Sequence, residues 1–258
     1  MDDLRSGSPA RWVAAALPVT PLLRWAVLVH AVPAGQPWRS GCPHCGAPFS
    51  PPAGLAPLWP TGRCHTCQRR VGAPPYAVEL AAIVAAVAVW LAVGGGRWPP
   101  LAALALVGWV LAAVPLVFID LAVHRLPDRF TFPAAAWVLG LLGLAALVEG
   151  SGGDLWRAVL AAGVCGAGFA TVTLIFGARG FGLGDAKLAL SIGALLGWLG
   201  WTAVVAGLLL AFLTSGLVAA GLLLAGRVSR RDSLPFGPFL VAGTLAAISW
   251  VALSPAVG

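Results

Sequence analysis

Two carboxylates stand at the ends of apolar runs, where a membrane span would meet water. Asp120 follows the apolar run 101–119, and Asp185 lies in the short polar stretch 181–188 between two apolar runs. A carboxylate near hydrocarbon costs free energy and is most often kept there for a function. Two carboxyl groups held close together do not both ionise, so one acts as general acid while the other activates water. The pair therefore predicts hydrolysis of a peptide bond by acid–base catalysis.

The residues next to Asp185 are compatible with a site at that position. Lys187 is the chain's only lysine and stands two residues after the carboxylate. Gly182 and Gly184 leave a bare backbone on which an extended peptide could lie close to Asp185. The alternative is a solvated loop with an incidental ion pair, in which the glycines are end caps of the preceding span.

Asp120 also has a simpler interpretation, and it has a competitor. Asp120 could be an interfacial charge or a cap for the loop 124–128. Asp128 could serve as the second acid, but it precedes an apolar run, and this favours a helix start. The matching positions of Asp120 and Asp185 at the ends of their spans favour these two residues as the pair.

Four of the five cysteines form two Cys-x-x-Cys pairs, separated by eighteen residues, in a stretch rich in proline and glycine. They are Cys42, Cys45, Cys64 and Cys67. Two such knuckles complete a tetrahedral zinc site, and two disulfides are the alternative. A domain of about forty residues has little core, so the metal would contribute folding energy.

The composition predicts an all-α polytopic membrane protein. Of the 258 residues, 59% are hydrophobic and only 10% are charged, whereas about a quarter of the residues in a soluble domain carry charge. The net charge of +7 follows from orientation in the bilayer, and no nucleic-acid partner is expected. A helix needs roughly 20 apolar residues to cross a membrane. Apolar runs near this length predict spans at 76–93, 100–119, 132–149, 155–177, 188–200 merging into 201–226, and 236–254.

The first apolar stretch, 12–32, is a flawed span. It contains Pro18, Pro21 and a central Arg24, and a mid-span arginine costs at least about 2.5 kcal/mol on insertion scales. The stretch either crosses the membrane, which we prefer, or lies on its surface with Arg24 facing the headgroups. The total is therefore about seven to eight transmembrane helices.

Three regions follow from this pattern: an N-terminal apolar segment (1–33), a zinc-ribbon-like domain (34–75) and a transmembrane peptidase domain (76–258). A thiolate site favours a reducing compartment, so the zinc domain is expected in the cytoplasm. Alternation then puts the loops between later spans, 120–131, 178–187 and 227–235, on the same side. These four segments hold eleven of the sixteen basic residues: Arg39, Arg63, Arg69, Arg70, Arg125, Arg129, Arg179, Lys187, Arg227, Arg230 and Arg231. The positive-inside rule therefore gives the same orientation.

Together these motifs resemble the bacterial type IV prepilin peptidases, which are membrane aspartic proteases of the GxGD type. The segments 118–121 and 126–131 resemble the family's first catalytic motif, Gly-Leu-Gly-Asp-Ala-Lys-Leu at 182–188 the second, and 234–239 its late segment. The double Cys-x-x-Cys, followed by 75–79, is similar to the zinc-bearing insertion of the bifunctional members.

The resemblance implies that the protein cleaves a short basic leader from prepilins and pseudopilins at the cytoplasmic face of the bacterial inner membrane. It implies Asp120 and Asp185 as the catalytic pair, supported by Gly182, Gly184 and Lys187. For members with the cysteine domain, it also implies methylation of the new N-terminus by S-adenosylmethionine. These activities belong to type IV pilus assembly and protein secretion.

Two features leave other interpretations open. Glu79, at the start of its span, is either an interfacial charge or a site for a cationic group, and it is the one residue considered for the methyl-donor cofactor. The segment 31–39 departs from the family's usual sequence before the cysteines, so a peptidase without methylation is a second interpretation.

A third interpretation is a non-catalytic transporter or assembly scaffold that binds partners through its zinc ribbon. A transporter would bury its carboxylates near mid-bilayer, whereas a peptidase needs both at one rim.

Overall fold

The computed structural model describes residues 8–49, 53–94, 96, 98–176, 182–229 and 233–254, and this part of the chain is mostly helical. Its α-helices are α1 (Pro9–Ala16), α2 (Thr20–His30), α3 (Ala77–Gly94), α4 (Pro100–Val123), α5 (Asp128–Glu149), α6 (Gly152–Phe176), α7 (Leu183–Leu199), α8 (Trp201–Leu224) and α9 (Gly237–Leu253). Short 3₁₀ helices cover Leu17–Val19 and Ala53–Leu58. The only β pairing in the described ranges is two isolated bridges in the cysteine region.

Six segments of the described chain are long and apolar enough to cross a membrane. They are Pro9–His30, which joins α1 and α2, and the helices α3, α4, α5, α6 and α8. Two shorter helices of 17 residues each, α7 and α9, lie outside this set, so the described chain has eight helical segments of 17 residues or more. The predicted class, an all-α multi-pass membrane protein with seven to eight helices, is confirmed.

Three helices extend beyond the apolar runs predicted as spans, because polar residues form helical turns at the ends of those runs. The helix α4 continues to Val123, so Asp120 lies inside its last turn. The helix α5 begins at Asp128, which confirms the helix start expected there. The helix α7 begins at Leu183 instead of 188, so most of the motif around Asp185 is helical. Phe181, within the stretch 181–188, lies outside the described residues.

The predicted break in the long apolar stretch after residue 188 is confirmed. Gly200 has φ of 132°, a backbone conformation that favours glycine, and it separates α7 from α8. Arg157 of α6 donates hydrogen bonds to the carbonyls of Gly197 and Trp198 at the end of α7. These bonds satisfy carbonyl groups that a helix end leaves without intrahelical partners.

Small residues let α6 and α7 pack with their backbones close together. A Cβ added at Gly193 would lie 2.6 Å from the carbonyl oxygen of Ala161, and one at Gly197 would lie 2.9 Å from the Cα of Ala158. Gly193 and Gly197 form a small-x-x-x-small pattern, which permits close helix approach inside a membrane. The N-terminal turn of α7, which carries Asp185, is therefore held on a rigid helix pair.

Gly193→Ala should destabilise the protein by about 1–3 kcal/mol, because the added methyl group has no space between the two helices. The measurement is thermal unfolding of the purified protein in detergent, followed by tryptophan fluorescence. Gly163→Ala on α6 is the matched control, because a Cβ at Gly163 meets no atom within 4 Å. Equal melting temperatures for the two variants would contradict this account of the α6–α7 contact.

Arg24 lies buried inside the protein instead of facing headgroups, with an exposure of 2%. Its Nε donates to Oε1 of Glu79 at 2.7 Å, and its Nη2 donates to Oε2 of Glu79 at 2.6 Å. The same Nη2 also donates to the carbonyls of Pro60 and Pro74 at 2.9 and 3.3 Å. The arginine is tolerated in an apolar helix because a carboxylate of α3 neutralises it and two backbone carbonyls accept further hydrogen bonds from its Nη2. Through this one side chain, α2 is tied both to α3 and to the segments that flank the second cysteine pair.

Arg24→Met should destabilise the protein by about 3–5 kcal/mol, because it leaves the Glu79 carboxylate, whose side chain is only 12% exposed, without its partner. The double variant Arg24→Met/Glu79→Met should recover part of that loss, because no unpaired charge remains. Unfolding in detergent, compared across the two single variants and the double variant, measures the coupling. A double variant that loses the full sum of the two single losses would show that the residues are not energetically coupled.

Candidate active site and cysteine cluster

The structure brings Asp120 and Asp185 together at one end of the helix bundle. Asp120 is in the last turn of α4, and Asp185 is in the first turn of α7. Their exposures are 5% and 7%, and the two carboxyl groups are close enough to interact electrostatically. Two interacting carboxyls removed from water favour a state in which only one of them is ionised. This is the arrangement that acid–base hydrolysis needs.

Each carboxyl group is held by one backbone N–H. The Gly182 N–H donates to Oδ2 of Asp185 at 2.9 Å, within the first turn of α7. The Gly237 N–H, at the start of α9, donates to Oδ2 of Asp120 at 3.0 Å. In the described part of the chain, Oδ1 of Asp185 is buried without a hydrogen-bond partner. An unpartnered buried oxygen is costly, so its presence beside a second carboxyl is consistent with a reactive group.

Sequence reasoning did not identify Gly237 as part of the site. The segment 234–239 resembles the family's late segment, but the sequence alone assigns no role to any of its residues. Proline on either side of Phe236 and Gly237, just before an apolar run, is a signal for a helix start. That signal predicts free N–H groups at this point, but only the folded chain shows that one of them meets Asp120.

The two glycines before Asp185 occupy different environments. A Cβ at Gly184 would lie 2.8 Å from the Cβ of Leu126, so this glycine makes room for the loop after α4. Gly182 is exposed, and its nearest neighbour beyond the adjacent residues is Oδ2 of Asp185, 3.4 Å from an added Cβ. The bare backbone suggested for peptide binding is therefore available at Gly182, whereas Leu126 covers Gly184.

Lys187 does not contact the carboxyl pair. Its Nζ donates to Oδ1 of Asp128 at 2.6 Å, and it lies 5.2 Å from the ring centroid of Phe132. The Asp128 side chain is 60% exposed, and exposed ion pairs contribute about 0–1 kcal/mol. The pair joins the first turn of α5 to the second turn of α7. Asp128, the competitor for the second acid, is thus paired with a cation at the surface.

The four cysteines of the two knuckles form one cluster, with all ligand atoms within 4.8 Å of one another. The Sγ atoms of Cys42 and Cys67 lie 3.8 Å apart, as do those of Cys45 and Cys64. A tetrahedral site with Zn–S bonds of about 2.3 Å separates its sulfur atoms by about 3.8 Å. All four are free thiols, so the structure favours the zinc interpretation over two disulfides. The cluster is compatible with zinc.

The local backbone favours a thiolate in this cluster. Burial raises the pKa of the Cys64 thiol, but N–H groups of Cys67 and Thr66 and the nearby thiols outweigh it and lower the pKa to about 6. The Ala47 N–H lowers the pKa of Cys45, but burial and the other three thiols outweigh it and raise the pKa to about 11. Because metal ligands must be deprotonated, a thiolate at Cys64 is a starting point for metal binding.

Glu79 is engaged by the protein itself. Both of its carboxylate oxygens accept hydrogen bonds from Arg24. The cationic group that Glu79 meets in this structure is therefore a guanidinium of the same chain. Its suggested role in binding S-adenosylmethionine stays a prediction, and in this conformation such binding would require Arg24 to leave.

The matches to known proteins all point to one family. Residues 104–224 match the model of the type IV leader peptidase family, and this range includes Asp120 and Asp185. A prepilin leader peptidase/N-methyltransferase of Aeromonas hydrophila is 36% identical over 215 residues, which cover 82% of this chain and 71% of that protein. Proteins of the same name from Burkholderia pseudomallei and Bacillus subtilis are 34% and 30% identical, over 81% of this chain and 66% and 80% of theirs.

No solved structure matches the chain. The relatives that this chain matches are named as enzymes, so they do not favour the transporter or scaffold interpretation. The matched range contains both buried carboxyls, and one relative is 36% identical over most of its own length. The chain therefore belongs to the type IV leader peptidase family.

Proposed function

We propose that this protein is a membrane aspartic endopeptidase that removes the leader peptide from prepilins or pseudopilins and then methylates the new N-terminus. The observation that carries the peptidase assignment is the buried pair of Asp120 and Asp185, each held by a backbone N–H at the same end of the bundle. The relatives named prepilin leader peptidase/N-methyltransferase support both activities.

The reaction uses one carboxyl group in each protonation state. The ionised carboxylate takes a proton from water as the water oxygen attacks the scissile carbonyl carbon, and the protonated carboxyl donates its proton to the carbonyl oxygen. The tetrahedral gem-diol then collapses: the carboxyl that took the proton from water gives it to the leaving amine as the carbon–nitrogen bond breaks, and one hydroxyl of the intermediate returns a proton to the other carboxylate. Asp120 and Asp185 supply both groups, and the backbone N–H donors of Gly237 and Gly182 hold them in place.

A pair at the rim of the bundle suits a substrate that is cut where its leader meets an apolar helix. We place this rim, with the cysteine cluster, on the cytoplasmic side of the bacterial inner membrane. The positive-inside rule supports this orientation, because eleven of sixteen basic residues fall in segments assigned to that side. Three of them, Arg179, Arg230 and Arg231, lie outside the described residues. The division into 1–33, 34–75 and 76–258 is part of the same proposal.

The cysteine cluster would hold a structural zinc ion through four thiolates, Cys42, Cys45, Cys64 and Cys67. Zinc supplies folding energy to a domain of this size, because few apolar side chains are buried around it. The buried set beside the cluster consists of Leu28, Phe49 and Val71 together with two of the cysteines. Glu79 stays the one residue predicted for S-adenosylmethionine, and in this conformation Arg24 occupies both of its oxygens. No step of the peptidase reaction depends on either group.

Asp120→Asn and Asp185→Asn should each lower the rate of leader removal at least about 1000-fold, because either change removes one of the two proton-transfer groups. The measurement is the intact mass of a prepilin incubated with the purified protein and S-adenosylmethionine. Wild type should give the leaderless product with a further methyl increment. Asp128→Asn is the matched control, because Asp128 is paired with Lys187 and does not contact the carboxyl pair.

Each result bears on one part of the proposal. Cleavage that persists in either Asp→Asn variant would refute the assignment of that aspartate. Leader loss without the methyl increment would refute methylation and leave the peptidase in place. Wild type that cleaves none of several prepilins would refute the peptidase assignment.

Zinc content gives a separate prediction. The purified protein should contain one zinc ion per chain by metal analysis, and Cys42→Ser or Cys64→Ser should lose it and lower the melting temperature. Cys165→Ser is the matched control, because Cys165 lies buried in α6 away from the cluster. Full zinc content in the knuckle variants, or loss of zinc in the control, would contradict this assignment.

A further inference from the structure

The start of α9 reaches the carboxyl pair from a distant part of the chain. Gly237 is the first residue of α9, and its N–H donates to Oδ2 of Asp120 at 3.0 Å across 117 sequence positions. The N-terminus of a helix carries a partial positive charge, so it favours a carboxylate over a neutral group. Asp120 thus takes its hydrogen bond from a different helix, whereas Asp185 takes its own from the first turn of α7.

Gly237 also leaves the space that the Asp120 carboxyl occupies. A Cβ at Gly237 would lie 2.8 Å from Oδ2 and 3.3 Å from Cγ of Asp120. Contacts this short force one group to move, and the carboxyl is the group within reach. The position therefore combines two requirements, a free N–H and the absence of a side chain, and both act on the same carboxyl oxygen.

The helix start is held in place by neighbouring aromatic residues. Phe236 comes just before Gly237. Its ring centroid lies 5.9 Å from the ring centroid of Phe169 on α6 and 5.1 Å from that of Phe212 on α8. The rings of Phe169 and Phe212 stack at 6.1 Å. Aromatic pairs at these distances contribute beyond their buried area. The N–H of Gly237 is therefore presented to Asp120 from a fixed point.

We propose that Gly237 is a positioning residue for leader cleavage, which orients the Asp120 carboxyl through its N–H and through its lack of a side chain. Gly237 does not contact the substrate in this proposal and acts only through Asp120. The inference rests on the proposed peptidase function and assigns a role in it to the segment 234–239. Its consequence is that the orientation of the pair depends on α9 as well as on the two helices that carry the aspartates.

The test is Gly237→Ala in the full-length protein, with the kinetics of prepilin cleavage measured in detergent. A carboxyl displaced by about 1 Å costs on the order of 100-fold in rate, so kcat should fall about 100-fold. KM should change by less than about 3-fold, because the substrate-binding surface is untouched. Gly243→Ala on the same helix is the matched control. A Cβ at Gly243 would lie 2.8 Å from the backbone nitrogen of Ala211, so this variant should lower the melting temperature with little change in kcat of the folded protein.

A second variant keeps the test decisive if Gly237→Ala does not fold. Phe236→Leu loosens the anchor of α9 without adding an atom beside Asp120, and it should lower kcat about 10-fold at unchanged KM. Wild-type kcat in a folded Gly237→Ala protein, or in Phe236→Leu when the alanine variant does not fold, would overturn the proposal. A fall in kcat equal to that of Gly243→Ala would also overturn it, because it would show a packing effect. Failure of the peptidase function itself is distinguishable, because wild type would then not cleave.

Discussion

A carboxyl group among apolar helices has no water to solvate it, and the arrangement of this site follows from how that cost is met. Asp120 and Asp185 are both buried, and each receives one N–H from the start of a helix. Helix starts are the one place in a helical bundle where backbone donors are left without partners. In the part of the chain that the structure describes, backbone donors therefore hold the acidic pair in place of polar side chains, and they leave Oδ1 of Asp185 without a partner.

Close helix packing makes this convergence possible. The end of α4 and the starts of α7 and α9 must meet at the same point. Gly193 and Gly197 on α7 each lie against the backbone of α6 with no space for a side chain. Leu126 fills the remaining gap, because its side chain approaches both Gly184 and Gly237. Glycine is expensive in an isolated helix, but here it permits the short interhelical distances on which the site depends.

The cysteine domain is joined to the membrane part by a polar contact as well as by the chain itself. Arg24 binds Glu79 on α3 and the carbonyls of Pro60 and Pro74, on either side of the second cysteine pair. A charge buried in this way is tolerated only while all its partners are in place. Folding of the cysteine domain and docking of the first apolar segment are therefore linked. This link also explains why a stretch with a central arginine can form an apolar helix in this protein.

From the residues alone one can predict the class of protein, the order of its helices, the cysteine cluster and the two aspartates that the structure brings together. Each of these depends on local composition or spacing: apolar run length, the interval between cysteine pairs, or a carboxylate at the end of a run. Only the tertiary structure decided which groups meet. The Gly237 N–H reaches Asp120 across 117 positions, Glu79 meets Arg24 across 55, and Lys187 pairs with Asp128 across 59. Such contacts depend on how helices are arranged around one another, and packing of near-uniform apolar faces leaves no local signal in the sequence from which to predict them.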